Sequence, residues 1–341
     1  MKTFLRYSPK FDELTAEEEI LLEEDVQLVE KAVTVSHKLN RKKIATRNAH
    51  AKAFGFVRGS FMTVENDAAD FSKLLNGDDL GVIIRYSHPN FFVTKGGGEY
   101  PIYGCSVKIF NRDVPVSAKF PLVNLPVFVT NSVSKFLKIH IKANQFFIAA
   151  GKFLPLAIFK IPGLLKAGFS LFFDRQILSI LNNMMKVLDI EKQFISAYDF
   201  HSVGCFRLDE KVVKIRMKPH FIQKKLKEAN ADQTKSLKEY FLTHELSLDF
   251  QVQVGISERK TPVNNLLKNW KEKHSKFITV GTIVLPKQDI SRYETMDYEN
   301  LSFNPFENAE ILQPIGRMQK IRQNIYNKSI ATRQSLNQLK K

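Results

Sequence analysis

Two blocks of short strand-like runs, separated by a long helical block, are what most constrain this chain. In the first block Val57, Phe61 and Val64 are followed by Gly81–Tyr86, Gly104–Phe110 and Leu125–Val129. These are brief apolar runs rich in β-branched and aromatic residues and bounded by turn formers. The second block covers 194–218, 245–256 and Phe277–Leu285. Between the blocks, 132–187 reads as helix, and so do 12–39 before them and about 316–339 after them. The order helix, strands, helices, strands, helix predicts an α+β fold, an antiparallel β-barrel with flanking helices.

The chain has 341 residues, 44% of them apolar and 25% charged, so a packed core is feasible and 1–341 is read as a single domain. Its 28 Phe suit a buried apolar cavity as well as an ordinary core. Cys105 and Cys205 are too few for a disulfide framework or a zinc site and are expected to be buried free thiols in strands. Met1–Arg6 runs into charged residues rather than a long apolar stretch, which gives no signal peptide and a cytoplasmic expectation. The net charge of +16 is spread over scattered lysines with no nucleic-acid motif, so no nucleic-acid partner is expected. The charge suits attraction to an anionic membrane surface or to fatty carboxylates, and it also suits solubility alone.

Thr15 is placed to cap a first helix opening with Ala16-Glu17-Glu18-Glu19, where acidic residues suit the helix dipole. Residues 1–40 thus form an N-terminal helical extension. Gly96-Gly97-Gly98 reads as a loop, and with no helix start after it, it is not a phosphate loop. A further helix is expected near 263–274. The block 132–187 is unusually apolar, but Pro155 and Pro162 break it and Lys152 and Lys160 interrupt it. It therefore lacks the roughly 18–20 uncharged residues of a membrane span. It suits buried or subunit-facing helices first and a lipid-touching surface second.

Chemistry concentrates at three places. In the last helix Met318, Arg322 and Tyr326 recur every four residues and share a face, and Arg333 returns to that side about two turns on. A cation one turn from a tyrosine favours the phenolate, a hard anion suited to ferric iron. His50 lies among the small residues of Arg47-Asn48-Ala49-His50-Ala51-Lys52, where it could exchange a proton with a bound hydroperoxide. Asn124 offers an amide donor just before Leu125-Pro126-Val127-Phe128, and Phe128 a ring to stack on a flat ligand. Arg85, set in a strand, needs an anion if buried. Each has a plainer reading taken alone, as a surface pair, a core histidine or the polar start of a strand.

Together and in this order they resemble the haem catalase superfamily, and in particular its minimal, catalase-related members. Arg47–Lys52 is similar to the family's Arg-X-Val-His-Ala-Lys segment, Arg85-Tyr86-Ser87 to its Arg-Phe-Ser strand and Gly104–Phe110 to its Gly-Phe-Ala-Val-Lys-Phe-Tyr strand. Asn124–Phe128 resembles its Asn-X-Pro-X-Phe segment, and Phe136 falls on a family Phe eight residues after Phe128. Lys214–Pro219, Phe303-Asn304-Pro305-Phe306 and Arg322-X-X-X-Tyr326 with Arg333 continue the likeness, which spans about 40–335.

The resemblance implies a haem b whose iron is held by Tyr326 on a proximal helix at 316–339, with Arg322 supporting the phenolate. His50 would be the distal acid–base and Asn124 its partner. Arg47, Arg85 and Arg333 would meet the propionates, and Phe128 would stack on the macrocycle, with Met318 also in contact. Two departures stand out. Ala49 replaces a larger family residue and leaves room beside His50. Asn124 lies two residues before Pro126 where the family has three, so Val123 stands at the family's Asn position. The implied function is a peroxidase with some catalase activity, acting on hydrogen peroxide or an organic hydroperoxide. The alternatives are a fatty-acid hydroperoxide dehydratase or lyase of the allene oxide synthase type, and a haem-binding protein without turnover. A homodimer and peripheral contact with an anionic membrane complete the expectations.

Overall fold

The structure, a computed structural model, describes residues 4–66, 75, 80–91, 93, 100–220 and 232–338. Gly96-Gly97-Gly98 and Leu339 lie outside the described residues. Its centre is the expected barrel, closed and antiparallel with eight strands. The strands are β1 (Ala53–Thr63), β2 (Leu80–Ser87), β3 (Gly104–Asn111), β4 (Ser117–Val123), β5 (Phe200–His201), β6 (Cys205–Leu208), β7 (Lys211–Pro219), β8 (Leu246–Val254), β9 (Phe277–Leu285) and β10 (Pro314–Ile315). The ring runs β7-β5-β4-β3-β2-β1-β9-β8 and closes where β8 pairs with β7. β5 and β6 share one edge of β7, interrupted at 202–204, and β10 adds to β6 outside the ring.

Strand alternation divides the side chains between the barrel interior and its outer surface. Val82, Ile84 and Tyr86 of β2, Val107 and Ile109 of β3 and Phe120 and Leu122 of β4 fill the interior with Phe200, Phe206 and Phe250. Cys105 joins this core and Cys205 packs with Val212, Val263, Trp270 and Ile315, so both cysteines are buried and free as expected. The odd residues of β2 point the other way, and cross-strand register extends their rows. Arg85 pairs with Ser106 and Ser106 with Pro121, while Ser87 pairs with Gly104 and Gly104 with Val123.

Helices flank the barrel. They are α1 (Ala16–Leu39), α2 (Val133–Lys152), α3 (Leu154–Ile158), α4 (Ile161–Phe169), α5 (Ile177–Leu188), α6 (Gln233–Thr243), α7 (Met296–Asn300) and α8 (Arg317–Gln338). Thr15 caps α1 in a full capping box with Glu18. α8 begins at Gly316, whose φ of +104° is open to glycine alone without strain, while its amide donates to Asp12. Asn264 Oδ1 then accepts from the Arg317 amide at 2.8 Å.

Two expected elements are absent. Leu125–Val129 is not a strand: Pro126 has no amide to donate to a ladder, and the Phe128 amide donates instead to the Leu266 carbonyl at 2.9 Å. The strand of this region is β4, just before it. The stretch 263–274 forms turns rather than helix. Its asparagines serve other segments, Asn264 donating to Phe11 O, and Trp270 is drawn into the core, donating to Pro262 O at 3.1 Å.

Candidate functional site

Between the outer face of β2–β4 and the helices lies a cavity of about 440 Å³, in the size range of small-molecule and cofactor sites. Met318, Arg322, Tyr326 and Arg333 reach it from α8, Arg47, Ala49 and His50 from the segment before β1, Arg85 from β2, and Phe128 and Phe136 from the far side of the sheet and α2. Eight of the nine site residues drawn from the sequence thus meet in one place. The α8 spacing put four of them there, and Asn337 near the end of α8 ties the other group in. Its side chain accepts from the Ala45 amide at 2.9 Å and donates to the Ala45 carbonyl at 3.2 Å.

The exception is Asn124, which is not among the cavity residues. Its Oδ1 accepts from the Tyr103 amide at 2.7 Å and its Nδ2 donates to Pro101 O at 2.8 Å, so the amide braces the 101–103 loop. Val123, paired with Gly104 on the outer face, lines the cavity in its place. A shift of one residue along a strand reverses the face, so Asn124 lies outside the cavity that holds His50.

His50 has a φ of +54°, a left-handed backbone uncommon for a residue with a side chain. Arg85 holds it by donating to the His50 carbonyl at 2.7 Å. Ser87 Oγ lies 3.0 Å from His50 Nδ1 and donates to Gly104 O at 3.4 Å. With the hydroxyl proton donated to Gly104 O, Ser87 accepts from Nδ1, the tautomer that leaves the Nε2 lone pair available. Burial drives the His50 pKa down to about 3, reinforced by the positive charges of Arg85 and Arg322 and by His88 and Arg47. The ring is therefore neutral at ordinary pH, as a proton acceptor must be.

On α8 Arg322 donates to the Tyr326 hydroxyl at 3.0 Å and also to Gln319. Gln319 in turn presses on Gly204, where a side chain would collide with its amide. A second set of arginines surrounds Glu299. Arg47 lies 3.3 Å from its carboxylate and donates to Leu301 O at 2.9 Å. Burial would raise the Glu299 pKa, but Arg85, Arg47, Lys42 and Arg333 together hold it below the usual value. Arg333 is buried with all three guanidinium nitrogens lacking a hydrogen-bond partner among the described residues, and Arg85 Nε lacks one too. Burial lowers the pKa of Arg333 well below its ordinary value and that of Arg85 to about 9, the direction expected of cations short of an anion.

No protein-family model and no curated protein sequence matches the chain. Solved structures do. A fungal catalase superposes with a TM-score of 0.65 over 87% of this chain and 61% of its own, at 17% identity. Catalase A from Saccharomyces cerevisiae gives 0.64 over 86% and 62%, at 16% identity. A bacterial catalase gives 0.59 over 86% and 58%, at 17% identity. The chain has the catalase fold.

This catalase-like chain spans about 60% of the length of those catalases. Its cavity fits a haem on three counts. Three arginines against one carboxylate leave an excess of positive charge suited to a dicarboxylate, and the Arg333 nitrogens lack the partner a propionate would supply. The wall is mostly apolar, with Phe91, Phe128, Phe136, Leu266, Phe303 and Met318. It also holds a hydrogen-bonded phenol able to ligate iron.

The cavity contains residues the sequence did not suggest. His140 of α2 lines the cavity, its Nδ1 held by buried Asp25 of α1 at 2.7 Å and its Nε2 3.4 Å from Asn48 Nδ2. Asn144 also donates to Asp25, at 3.0 Å. The spacing of His140 four residues after Phe136 was the available signal, since the two share a helix face and their rings stack. No local signal pointed to Asp25 or Glu299, whose partners lie far away in sequence.

Proposed function

We propose that the chain is a haem-dependent enzyme that cleaves hydroperoxides, acting as a peroxidase with some catalase activity. The observation that carries this reading is that one cavity holds both a phenol bonded by Arg322 and a neutral histidine with a free Nε2. Tyr326 would hold the iron, with Arg322 stabilising its anionic form. Arg47, Arg85 and Arg333 would take the two propionates, and Phe128 would lie against the ring. Haem, if bound, would supply a redox-active iron and the electrons needed to break an O–O bond.

The remaining work falls to this chain's own side chains. His50 Nε2 accepts the proton of the entering hydroperoxide and returns it to the departing oxygen, so that water or an alcohol leaves rather than an anion. Ser87 fixes the tautomer by accepting from Nδ1, and Gly104 lets the ring sit close to the sheet. The apolar wall keeps bulk water from competing for the proton.

A second reading, dehydration or lysis of a fatty-acid hydroperoxide, is favoured by Ala49, which lines the cavity next to His50 and leaves room for an organic chain. The experiment is an absorption spectrum of the haem-reconstituted protein beside a Tyr326→Phe variant, followed by product analysis. A ferric-tyrosinate spectrum lost in the variant supports the reading. Oxygen release or oxidation of a reductant then marks the peroxidase, and an epoxide or aldehyde marks the alternative. No haem binding, or a spectrum the substitution leaves unchanged, rejects Tyr326 as ligand. Haem binding without turnover would leave only a haem-binding protein.

A further inference from the structure

Between Phe153 and Leu188 the chain turns its apolar side chains outward. Phe159 is 78% exposed, Phe173 77% and Leu178 80%. α5 is amphipathic in the inverted sense. It buries Ile180 and Asn183 while Leu178, Leu181, Met185 and Leu188 face solvent at helical spacing. Asn183 is what anchors it, donating to Phe128 O at 3.4 Å and Leu267 O at 3.1 Å. A soluble monomer rarely leaves so large a contiguous apolar face uncovered.

By length and composition Leu154–Phe173 could cross a membrane. Its local structure does not suit a span. Pro155 and Pro162 each start a new short helix, and Lys160 and Lys166 sit within the run. Short helices with cations between apolar residues suit the plane of a lipid interface, where lysine stems lie along the acyl boundary and their ammonium groups reach the headgroups.

Charge decides between lipid and a second copy of the chain. Lys152, Lys160, Lys166, Arg175 and Lys186 are exposed, and none has an acidic partner among the described residues. Asp174, the acidic residue in their midst, is already paired with Lys135 at 2.8 Å. Two such faces laid together would bring like charges into contact, whereas anionic phosphates would neutralise them.

We propose that the face formed by Phe153–Leu188 docks on an anionic bilayer, with its aromatic and aliphatic side chains at the acyl boundary and its lysines among the lipid phosphates. α2 runs from Phe136 and His140 in the cavity wall to Phe153, and α5 is hydrogen-bonded to the backbone of Phe128, so docking sets the wall of the candidate site beside the lipid. Supply of a lipid hydroperoxide from that bilayer rests on the reaction proposed above. The docking itself does not.

The test is co-sedimentation of the full chain with vesicles of mixed phosphatidylglycerol and phosphatidylcholine, and with phosphatidylcholine alone. Binding to the mixed vesicles should be strong and should weaken with added salt. Lys160→Glu/Lys166→Glu and Phe159→Ser/Phe173→Ser should each lower it by about tenfold or more. These side chains are exposed, and circular dichroism of each variant checks that the fold is kept. Failure of the wild-type chain to bind mixed vesicles overturns the proposal, and so does binding that neither variant weakens. A dimer in light scattering that Phe159→Ser/Phe173→Ser dissociates, with no vesicle binding, would show instead that a second copy covers the face. None of these readouts uses turnover, so the docking and the reaction can fail separately.

Discussion

The imidazole of His50 rests on Gly104 so closely that a Cβ built there would stand 2.4 Å from the ring's Cε1 and 2.5 Å from Nδ1. Gly104 is held in β3 by pairing with Ser87 on one side and Val123 on the other, so the ring and not the strand must yield. Gly104→Ala should turn His50 away from Ser87. Displacement of a proton-transfer group by about 1 Å costs on the order of 10²-fold in rate. The haem-loaded variant should therefore show kcat reduced by about that factor while its haem absorption stays that of the wild type. Wild-type turnover by this variant would mean that the position of His50 does not limit the reaction.

Arg333 leads to two effects of opposite sign. Its guanidinium is buried with no hydrogen-bond partner among the described residues, and Arg47 and Arg85 repel it. Arg333→Met removes a buried cation that the charge of Glu299 offsets only in part, and keeps an unbranched side chain in the space. The haem-free protein should gain about 1–2 kcal/mol in stability, read as a rise in its thermal midpoint. Haem titration should show weaker binding, by about tenfold or more, because a charge-assisted bond worth about 1.5–3 kcal/mol is lost. A variant that loses stability without haem would mean that Arg333 has a structural role in place of the anion-binding one.

What the sequence disclosed followed from local periodicity. The α8 side chains Met318, Arg322, Tyr326 and Arg333 share a face because the helix repeats, and both cysteines are buried because strand alternation puts Cys105 and Cys205 in cores. Asn124 lies outside the cavity by a single residue of strand register, the same one-residue shift that its spacing from Pro126 shows in the sequence. The turns at 263–274 come from tertiary demands, since Asn264 and Trp270 are fixed by Phe11, Arg317 and Pro262 and not by neighbours along a helix. Glu299 with Arg47 and Asp25 with His140 meet only once the barrel has brought α7 and α1 to the cavity, and no pattern along the chain encodes that meeting.

The Asp25–His140 pair predicts an unequal cost for removing its two members. Asp25 is fully buried, with His140 at 2.7 Å and Asn144 at 3.0 Å as its donors. His140→Ala leaves the buried Asp25 side chain with one amide donor, a loss of about 3 kcal/mol or more. Asp25→Asn keeps a side-chain oxygen at the same place to accept from His140, at a cost of about 1–3 kcal/mol. Urea unfolding of the two variants should rank them in that order. The reverse order would mean that His140 is not the hydrogen-bond donor that Asp25 depends on.

Acid should act on this protein through His50 and, in the same direction, through His201, whose pKa burial lowers to about 4. The ordinary His50 pKa of 6.5 is lowered by burial to about 3 in the folded chain. Below pH 6.5 the unfolded chain takes up a proton there that the folded chain refuses until about pH 3, so the unfolded state binds more protons and stability falls as pH falls across that window. Above the window His50 makes no difference to the slope. His50→Gln removes the His50 titration, so the variant should lose less stability than the wild type between pH 7 and pH 4, measured by urea unfolding at each pH. The same depressed pKa leaves Nε2 unprotonated down to about pH 4, so the proton-accepting step should show no acid limb near pH 6. If kcat/KM in the haem-loaded protein falls through a pKa near 6 that Ser87→Ala and wild type share, and His50→Gln abolishes it, then His50 titrates like an exposed imidazole and its burial does not hold it neutral.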